Sequence, residues 1–409
     1  MIDYTKSNTK FASIAIIFIM VLLMTRCFKY VGWNLYPKLA SIRYLALFSF
    51  PLFFFFKCHF VTTDNLHSKN IVYYCIITCF STFILRNIVY GGGLGYGLES
   101  NIFFGFIFFT YFLLHYSKIP EKILIQSITI IGLVVLFIQV YQQIYPELAL
   151  FSTLTDEMRD EMELADDWGM RNGLYRYKPI AQAFPFFLYC YYLTKMLTSY
   201  TNKYFFLVVA FSASTYLMLT RMFLLSMLIA GIFIYLNCKK KKNVRMSFLL
   251  FSTVVILFVF SDVLFSNIFS VDESDIVYSS SIRMEAMSFF FNRLIDDPLL
   301  FFLGHGYPNH LWRWGGLYGF WYNDLGVIGQ VYIYGVVWLF VYVFVIYWLL
   351  IAKRYTIPLY IRAYIIGMFS IFYMMPLYSS LILTFLFCVV LYISDLYINN
   401  EGITENNII

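Results

Sequence analysis

Apolar runs of about 17 to 22 residues recur along this chain, the length a helix needs to cross roughly 30 Å of hydrocarbon. No other feature constrains the fold as tightly. A soluble domain normally carries roughly 25% charged residues, whereas here the charged share is 13%, against 61% hydrophobic and 22% aromatic. Integral membrane protein is the class these runs define. The first run, Phe11–Met24, is followed by Thr25, Arg26 and Cys27 with no small-residue cleavage site, so it reads as an uncleaved first helix.

About twelve spans are expected, at 11–26, 42–60, 70–88, 101–116, 122–143, 179–197, 203–220, 221–238, 247–264, 325–350, 358–374 and 378–396. An even number puts both termini on one side. Lys and Arg in short loops mark the cytoplasmic face. Lys239–Lys242 with Arg245, Lys353 with Arg354, and Lys118 with Lys122 all fall on the side of the N-terminus, so both termini are expected in the cytoplasm. The joint after the first span, with Arg26, Lys29, Lys38 and Arg43, argues the other way and is outvoted three to one.

Two long polar segments, 144–178 and 262–324, then fall outside the cytoplasm. Together they hold 16 of the 23 acidic residues, eight each, and their only lysine is the boundary residue Lys178. Their other basic residues are arginines and histidines, and arginine's planar fork suits phosphate oxygens better than lysine's point charge. The acidic run 156–168 reads as a short surface helix, either solvated or walling an acceptor site.

Arg221 interrupts two apolar runs, with no other charge between Lys203 and Lys239. Held at mid-bilayer, it would cost at least roughly 2.5–3.5 kcal/mol. The topology puts it at an extracytoplasmic turn, as an interface anchor or as an anion-binding group. Arg283 and Arg293 lie in an amphipathic stretch after Ser279–Ser281 that should end at or just before Pro298, and Arg171 and Arg176 precede the sixth span. Singly, each is explained by a surface ion pair. Five arginines at extracytoplasmic span ends point instead to one shared anion, and at that depth the natural one is a lipid diphosphate.

The candidate bases are Asp324, His305, His310 and Glu285. Asp324 stands where the chain re-enters the membrane, and a carboxylate partly removed from water can accept a proton from a hydroxyl. His305 lies between Gly304 and Gly306, a tight setting that could bring main-chain amides to a ligand, although either histidine could equally be satisfied within the loop. Trp312, Trp314, Trp321 and Tyr322, with Tyr318, form either a sugar-stacking platform or an interfacial belt. The seven cysteines, in or beside apolar runs, show neither metal-ligand spacing nor a disulfide framework, and Cys75 and Cys79 read as packing on one helix face. No zinc or calcium spacing, nucleotide loop or Ser-His-Asp order is present, and a net charge of +6 is too diffuse for nucleic acid. The glycine-rich 91–97 segment reads as a flexible extracytoplasmic loop.

Four stretches in this order resemble the O-antigen polymerase and O-antigen ligase superfamily of bacterial envelope glycosyltransferases. They are LTRMFLLSMLIAGI (219–232), SIRMEAMSFFFNRLIDDPLLFFLGHG (281–306), YNDLGVIGQVYIYGVVWL (322–339) and, more loosely, RNGLYRYKPIAQAFPF (171–186). The resemblance implies that Arg221 and Arg283 hold the diphosphate of an undecaprenyl-linked sugar. Ligases of the superfamily usually carry a His-Asn pair about eleven positions before the downstream glycine; eleven before Gly335 stands Asp324, which points to the polymerase branch. Arg293, ten residues and Gly304 fit a spacing seen with polymerases.

The expectation is an all-α integral membrane protein, GT-C-like, with about twelve transmembrane helices and two large periplasmic loops. Its parts are N-terminal helices over 1–143, a periplasmic loop over 144–178, central helices over 179–264, a larger periplasmic loop with short helices over 265–324, and C-terminal helices over 325–409. The implied activity is polymerisation of O-antigen, or a similar surface polysaccharide, by a metal-independent inverting glycosyltransferase of the bacterial inner membrane without a cofactor. Its implied partners are undecaprenyl-diphosphate-linked oligosaccharides, membrane lipid and a chain-length regulator, with no nucleic acid. A ligase is the nearer alternative. A lipid-linked oligosaccharide flippase is the one from another class, disfavoured because no internal repeat is evident and the charges cluster outside the spans. The topology predicts that cysteines placed in 144–178 and 262–324 react with a membrane-impermeant maleimide in intact spheroplasts; labelling only after permeabilisation would overturn it.

Overall fold

The computed structural model describes residues 66–90, 103–145, 170–171, 174–175, 183–218, 221–238, 273–305, 325–371 and 381–406. The expected spans 11–26, 42–60 and 247–264, the acidic run 156–168 and the 91–97 segment lie outside the described residues. Within them the chain is helical apart from one two-residue ladder. The helices are α1 (Lys69–Tyr90), α2 (Phe103–Ser117), α3 (Glu121–Ile144), α4 (Ala183–Thr198), α5 (Asn202–Leu217), α6 (Arg221–Asn237) and α7 (Glu273–Asp296). They continue with α8 (Pro298–Leu303), α9 (Val327–Tyr334), α10 (Val336–Ile346), α11 (Leu359–Ser370) and α12 (Leu381–Asn406). The ladder pairs β1 (Met170–Arg171) with β2 (Leu174–Tyr175), antiparallel.

Two helix boundaries and one strand pair differ from the sequence reading. Residues 325–350 are not one helix: the chain breaks at Gly335, between α9 and α10, and α10 runs into a π-helical turn at Tyr347–Ala352. The amphipathic stretch expected to follow Ser279–Ser281 begins at Glu273, making a 24-residue helix where short ones were expected. It stops at Asp296, before Pro298, whose ring cannot sit inside a helix but can open the next one. The ladder in the RNGLYRY stretch was not foreseen, because two-residue strands leave no alternating pattern.

Helix directions follow from which rings meet. α1 and α2 are antiparallel, Tyr73 meeting Phe112 and Phe80 meeting Phe106. α2 and α12 run parallel, Phe108 meeting Phe387 and His115 meeting Tyr392. α4 opposes α11, with Phe187 against Tyr364 and Tyr191 against Tyr360, and runs parallel to α6, where Phe186 packs on Phe223. Small residues allow the closest crossings. A side chain at Gly132 would overlap Leu188 and Phe211, and one at Gly367 would overlap Phe186 and the Ser226 carbonyl.

The two faces of this bundle are both apolar. α12 is mostly buried, at the centre. α3 is only half-buried, and its outer face carries Ile130, Leu133, Val134, Phe137, Val140 and Ile144, with Phe137 69% exposed. The outer faces of α1, α6 and α10 repeat the pattern with Ile77 and Ile84, Leu225 and Ile232, and Phe340 and Val343. A helix apolar all round belongs to a protein core or to lipid. Among the described residues two helical stretches, Glu121–Tyr141 and Leu381–Asn399, are long and apolar enough to cross a membrane.

Two carboxylate networks sit at one end. Asp395 on α12 is fully buried and accepts from Ser68 Oγ (2.7 Å), Ser68 N (3.2 Å) and Tyr111 Oη (2.5 Å), with His115 Nε2 at 3.3 Å. Beside it Glu121 accepts from Tyr360 Oη at 2.7 Å and Tyr397 Oη at 2.9 Å. One carboxylate thus ties α12 to the start of α1 and the end of α2; the other ties the start of α3 to α11 and α12. Asp395→Ala leaves three hydrogen-bond donors facing a void, and losing one side of a buried network of this kind costs about 3–5 kcal/mol. A clear fall in the Tm of the detergent-solubilised protein is expected, with Asp395→Asn intermediate.

Candidate functional site

Three of the sequence-selected residues have described side chains: Arg293 and His305 belong to one packed unit, and Glu285 is exposed on α7. In α7, Ala286, Phe290 and Leu294 recur at the spacing of one helical face and share a buried cluster with Leu325, Val331 and Tyr332. Phe290 meets the Tyr332 ring edge-on at 4.7 Å, which seats α7 on α9. Arg293 lies in the last turn of α7, exposed, with its guanidinium 4.4 Å from the centre of the Phe289 ring. Its planar fork stays at the surface while its stem is steadied by the ring. Asp297 then accepts from Leu299 N at 3.0 Å, turning the chain into α8.

The return from α8 to α10 is a contact of backbone on backbone. Gly304 has φ +74° and Gly335 φ +78°. A Cβ at Gly304 would stand 2.2 Å from the Ile333 carbonyl oxygen, and one at Gly335 would stand 2.1 Å from that of Phe302. Both the left-handed conformation and the lack of space demand glycine. His305 follows, donating its main-chain N–H to Tyr332 O at 2.7 Å and stacking its ring on Tyr332 at 5.5 Å and 10°. That amide is therefore not offered to a ligand, contrary to the expectation for the Gly304–Gly306 turn. The ring, 8% exposed, is held within the fold.

The other selected residues are placed less fully. Arg221 is the first residue of α6, Arg283 lies on α7 in the turn before Ala286, and Arg171 is in β1 opposite Leu174; their side chains lie outside the described part of the structure. His310, Trp312, Trp314, Trp321, Tyr322, Asp324 and Arg176 lie outside the described residues. Arg283 and Arg293 thus share one helix, and that helix is seated in the same cluster as Leu325, the neighbour of Asp324 in the chain.

Gln330 was not singled out in the sequence, where it reads as one polar residue inside a span. It is buried on α9, and its Oε1 has no hydrogen-bond partner. Tyr332, which joins Phe290 to His305, was missed for a similar reason, since one tyrosine among many carries no signal of its own. Among the described residues no group of three or more His, Cys, Asp or Glu side chains is arranged to hold a metal ion. A cavity of about 260 Å³ between α1 and α10 is lined by Asn70, Ile71, Tyr74, Phe340, Val341 and Phe344 and carries no charged group. Both cysteines of α1 pack in the core, Cys75 and Cys79 on one face as the sequence indicated.

No protein-family model matches the chain, and no curated protein matches it. The glycine contact therefore has to be tested on the molecule itself. Gly335→Ala and Gly304→Ala each force a Cβ into a carbonyl at positive φ, a strain of roughly 3 kcal/mol or more. Gly105→Ala meets only the edge of the Phe80 ring at 3.0 Å, inside a helix that favours alanine. The first two variants should lose limited-proteolysis protection over 298–305 and 325–340 and the third should keep it. Equal protection in all three would contradict the tight approach.

Proposed function

We propose that the chain is a multi-pass inner-membrane glycosyltransferase that polymerises O-antigen or a related surface polysaccharide. The observation that carries the reading is the seating of α7, with Arg283 and Arg293, on the broken helix pair α9–α10 through the Gly304–Gly335 contact. It joins the arginine-led stretch and the downstream-glycine stretch, two of the segments on which the family resemblance rests. The membrane part of the reading is supported by the apolar outer faces of α1, α3, α6 and α10 and by the two helices long enough to span. It is supported too by helix directions, since every pairing described above runs in the sense that alternating spans require.

In this reading the growing glycan on undecaprenyl diphosphate is the donor and a new lipid-linked repeat unit the acceptor, both at the periplasmic face. Asp324, or His310, takes the proton of the acceptor hydroxyl as its oxygen attacks the anomeric carbon from the face opposite the diphosphate. The bond from that carbon to the diphosphate oxygen breaks, the configuration inverts, and undecaprenyl diphosphate leaves with the bonding electrons. Arg221 and Arg283, with Arg293, Arg171 and Arg176 around them, stabilise the charge that grows on the leaving group. A lipid diphosphate is already a good leaving group, so positioning and charge suffice without a metal. His305 is better suited to holding the loop on Tyr332 than to moving a proton, given its stacked and enclosed ring. The tryptophans 312, 314 and 321 and Tyr322 supply a stacking surface for sugar.

The test is gel analysis of surface polysaccharide from a deletion strain complemented with variants. Arg283→Ala and Arg221→Ala should each abolish long chains at normal protein levels while single-unit-capped product survives. Loss of all capping would identify a ligase. Normal chain lengths in both variants would overturn the diphosphate role, and failure of lipid-linked units to reach the periplasmic face would identify a flippase.

A further inference from the structure

The end of the bundle that holds Asp395 and Glu121 also carries a group of cations near the start of α11, Lys353, Arg354 and Arg362. Lys353 and Arg354 follow the π-helical turn Tyr347–Ala352, and Arg362 sits in the first turn of α11. Lys353 Nζ lies 5.4 Å from the centre of the Trp348 ring. The Arg354 guanidinium lies 4.4 Å from the Tyr355 ring and also hydrogen-bonds the Tyr355 hydroxyl. The Arg362 guanidinium lies 5.8 Å from the Phe233 ring on α6. Among the described residues none of the three cations meets a carboxylate.

Arg362 is the most exacting of the three. Its Nε is buried and makes no hydrogen bond, and the positive charge of Arg354 acts on it from nearby. A buried guanidinium N–H without an acceptor is costly, and a like charge beside it adds to the cost. Glu121, at the same end, does not relieve it: it is taken by Tyr360, two residues earlier on α11, and by Tyr397. A built-in partner was thus available at this end and is turned elsewhere.

We propose that Lys353, Arg354 and Arg362 form a binding site for the phosphate of an anionic phospholipid, on the opposite end of the bundle from the α7–α9 unit. Arginine forks match phosphate oxygens in pairs and lysine adds a point charge. The surroundings select a lipid over a free ion. Trp348 and Tyr355 are residues of the membrane–water boundary, Tyr355 is largely exposed, and Tyr347 and Ile351 offer exposed apolar surface on the π-helical turn leading to the cations. Basic pockets between spans on the cytoplasmic side take anionic headgroups in this way. The site rests on the membrane part of the proposed function and is independent of the reaction catalysed.

The experiment is native mass spectrometry of the full chain, purified in a neutral detergent and titrated with phosphatidylglycerol or with phosphatidylcholine of the same acyl chains. A parallel thermal-unfolding series includes inorganic phosphate. Wild type should retain phosphatidylglycerol preferentially and be stabilised by it. Each of Arg354→Gln and Arg362→Gln should weaken that binding about fivefold, the worth of one cation near a headgroup, with phosphatidylcholine binding unchanged. Should Arg362→Gln fail to fold, Lys353→Gln/Arg354→Gln on the connecting loop carries the same test. Equal binding of the two lipids, or unchanged phosphatidylglycerol binding in the double variant, overturns the site. Stabilisation by inorganic phosphate equal to that by phosphatidylglycerol overturns the lipid assignment. A chain that stays soluble without detergent would instead overturn the membrane reading beneath it.

Discussion

Gly304 and Gly335 bring two backbone segments together at a separation that no side chain permits. On one side is the turn leaving α8, on the other the joint between α9 and α10, and each glycine takes a positive φ. The hydrogen bond from His305 to Tyr332 and the stacking of their rings close the same contact from one residue further along. Because α8 is joined to α7 by only Asp297, fixing the turn also fixes the long helix that carries Arg283 and Arg293. The helix break at Gly335 is thus the price of a close approach, and the close approach positions the arginines.

The rest of the fold separates its chemistry by depth. Apolar side chains fill both the interior and the outer faces, so polar groups have few places to go, and several pair with one another. Asp395 and Glu121 do this with hydroxyls and a histidine at one end. Gln139 and Ser214 do it across α3 and α5 toward the other, exchanging bonds of 2.5 and 3.1 Å. The cations at Lys353, Arg354 and Arg362 face rings and not carboxylates, as Lys195 does on Tyr191.

How much of this could be read from the residues depends on the period of the signal. Long apolar runs gave the helices nearly to the residue, as with Lys69–Tyr90 for 70–88 and Glu121–Ile144 for 122–143. Pro298 marked the end of α7 because a ring inside a helix removes a hydrogen bond. The break at Gly335 was not legible, since a glycine in an apolar run reads as helix until its neighbour in space is known. Gly304, thirty-one positions earlier, is that neighbour, and only the folded chain brings them together. Asp395 went unnoticed for a related reason: one carboxylate near a helix end looks like a solvated terminus, and its burial depends on Ser68 and Tyr111 arriving from elsewhere. The arginines were legible because charge is rare in this chain, and so was their sharing of one helix, although the seating of that helix on α9 was not.

The central claim is that the arginine helix, seated on the broken span, lengthens lipid-linked glycans without a metal. The direct measurement is chain growth by the purified protein in detergent, supplied only with undecaprenyl-diphosphate-linked repeat units and excess chelator. A ladder of products longer than one unit, with release of undecaprenyl diphosphate in step with each addition, is the predicted result. Unchanged single units from folded protein, or a ladder that appears only when a divalent metal is restored, would contradict it.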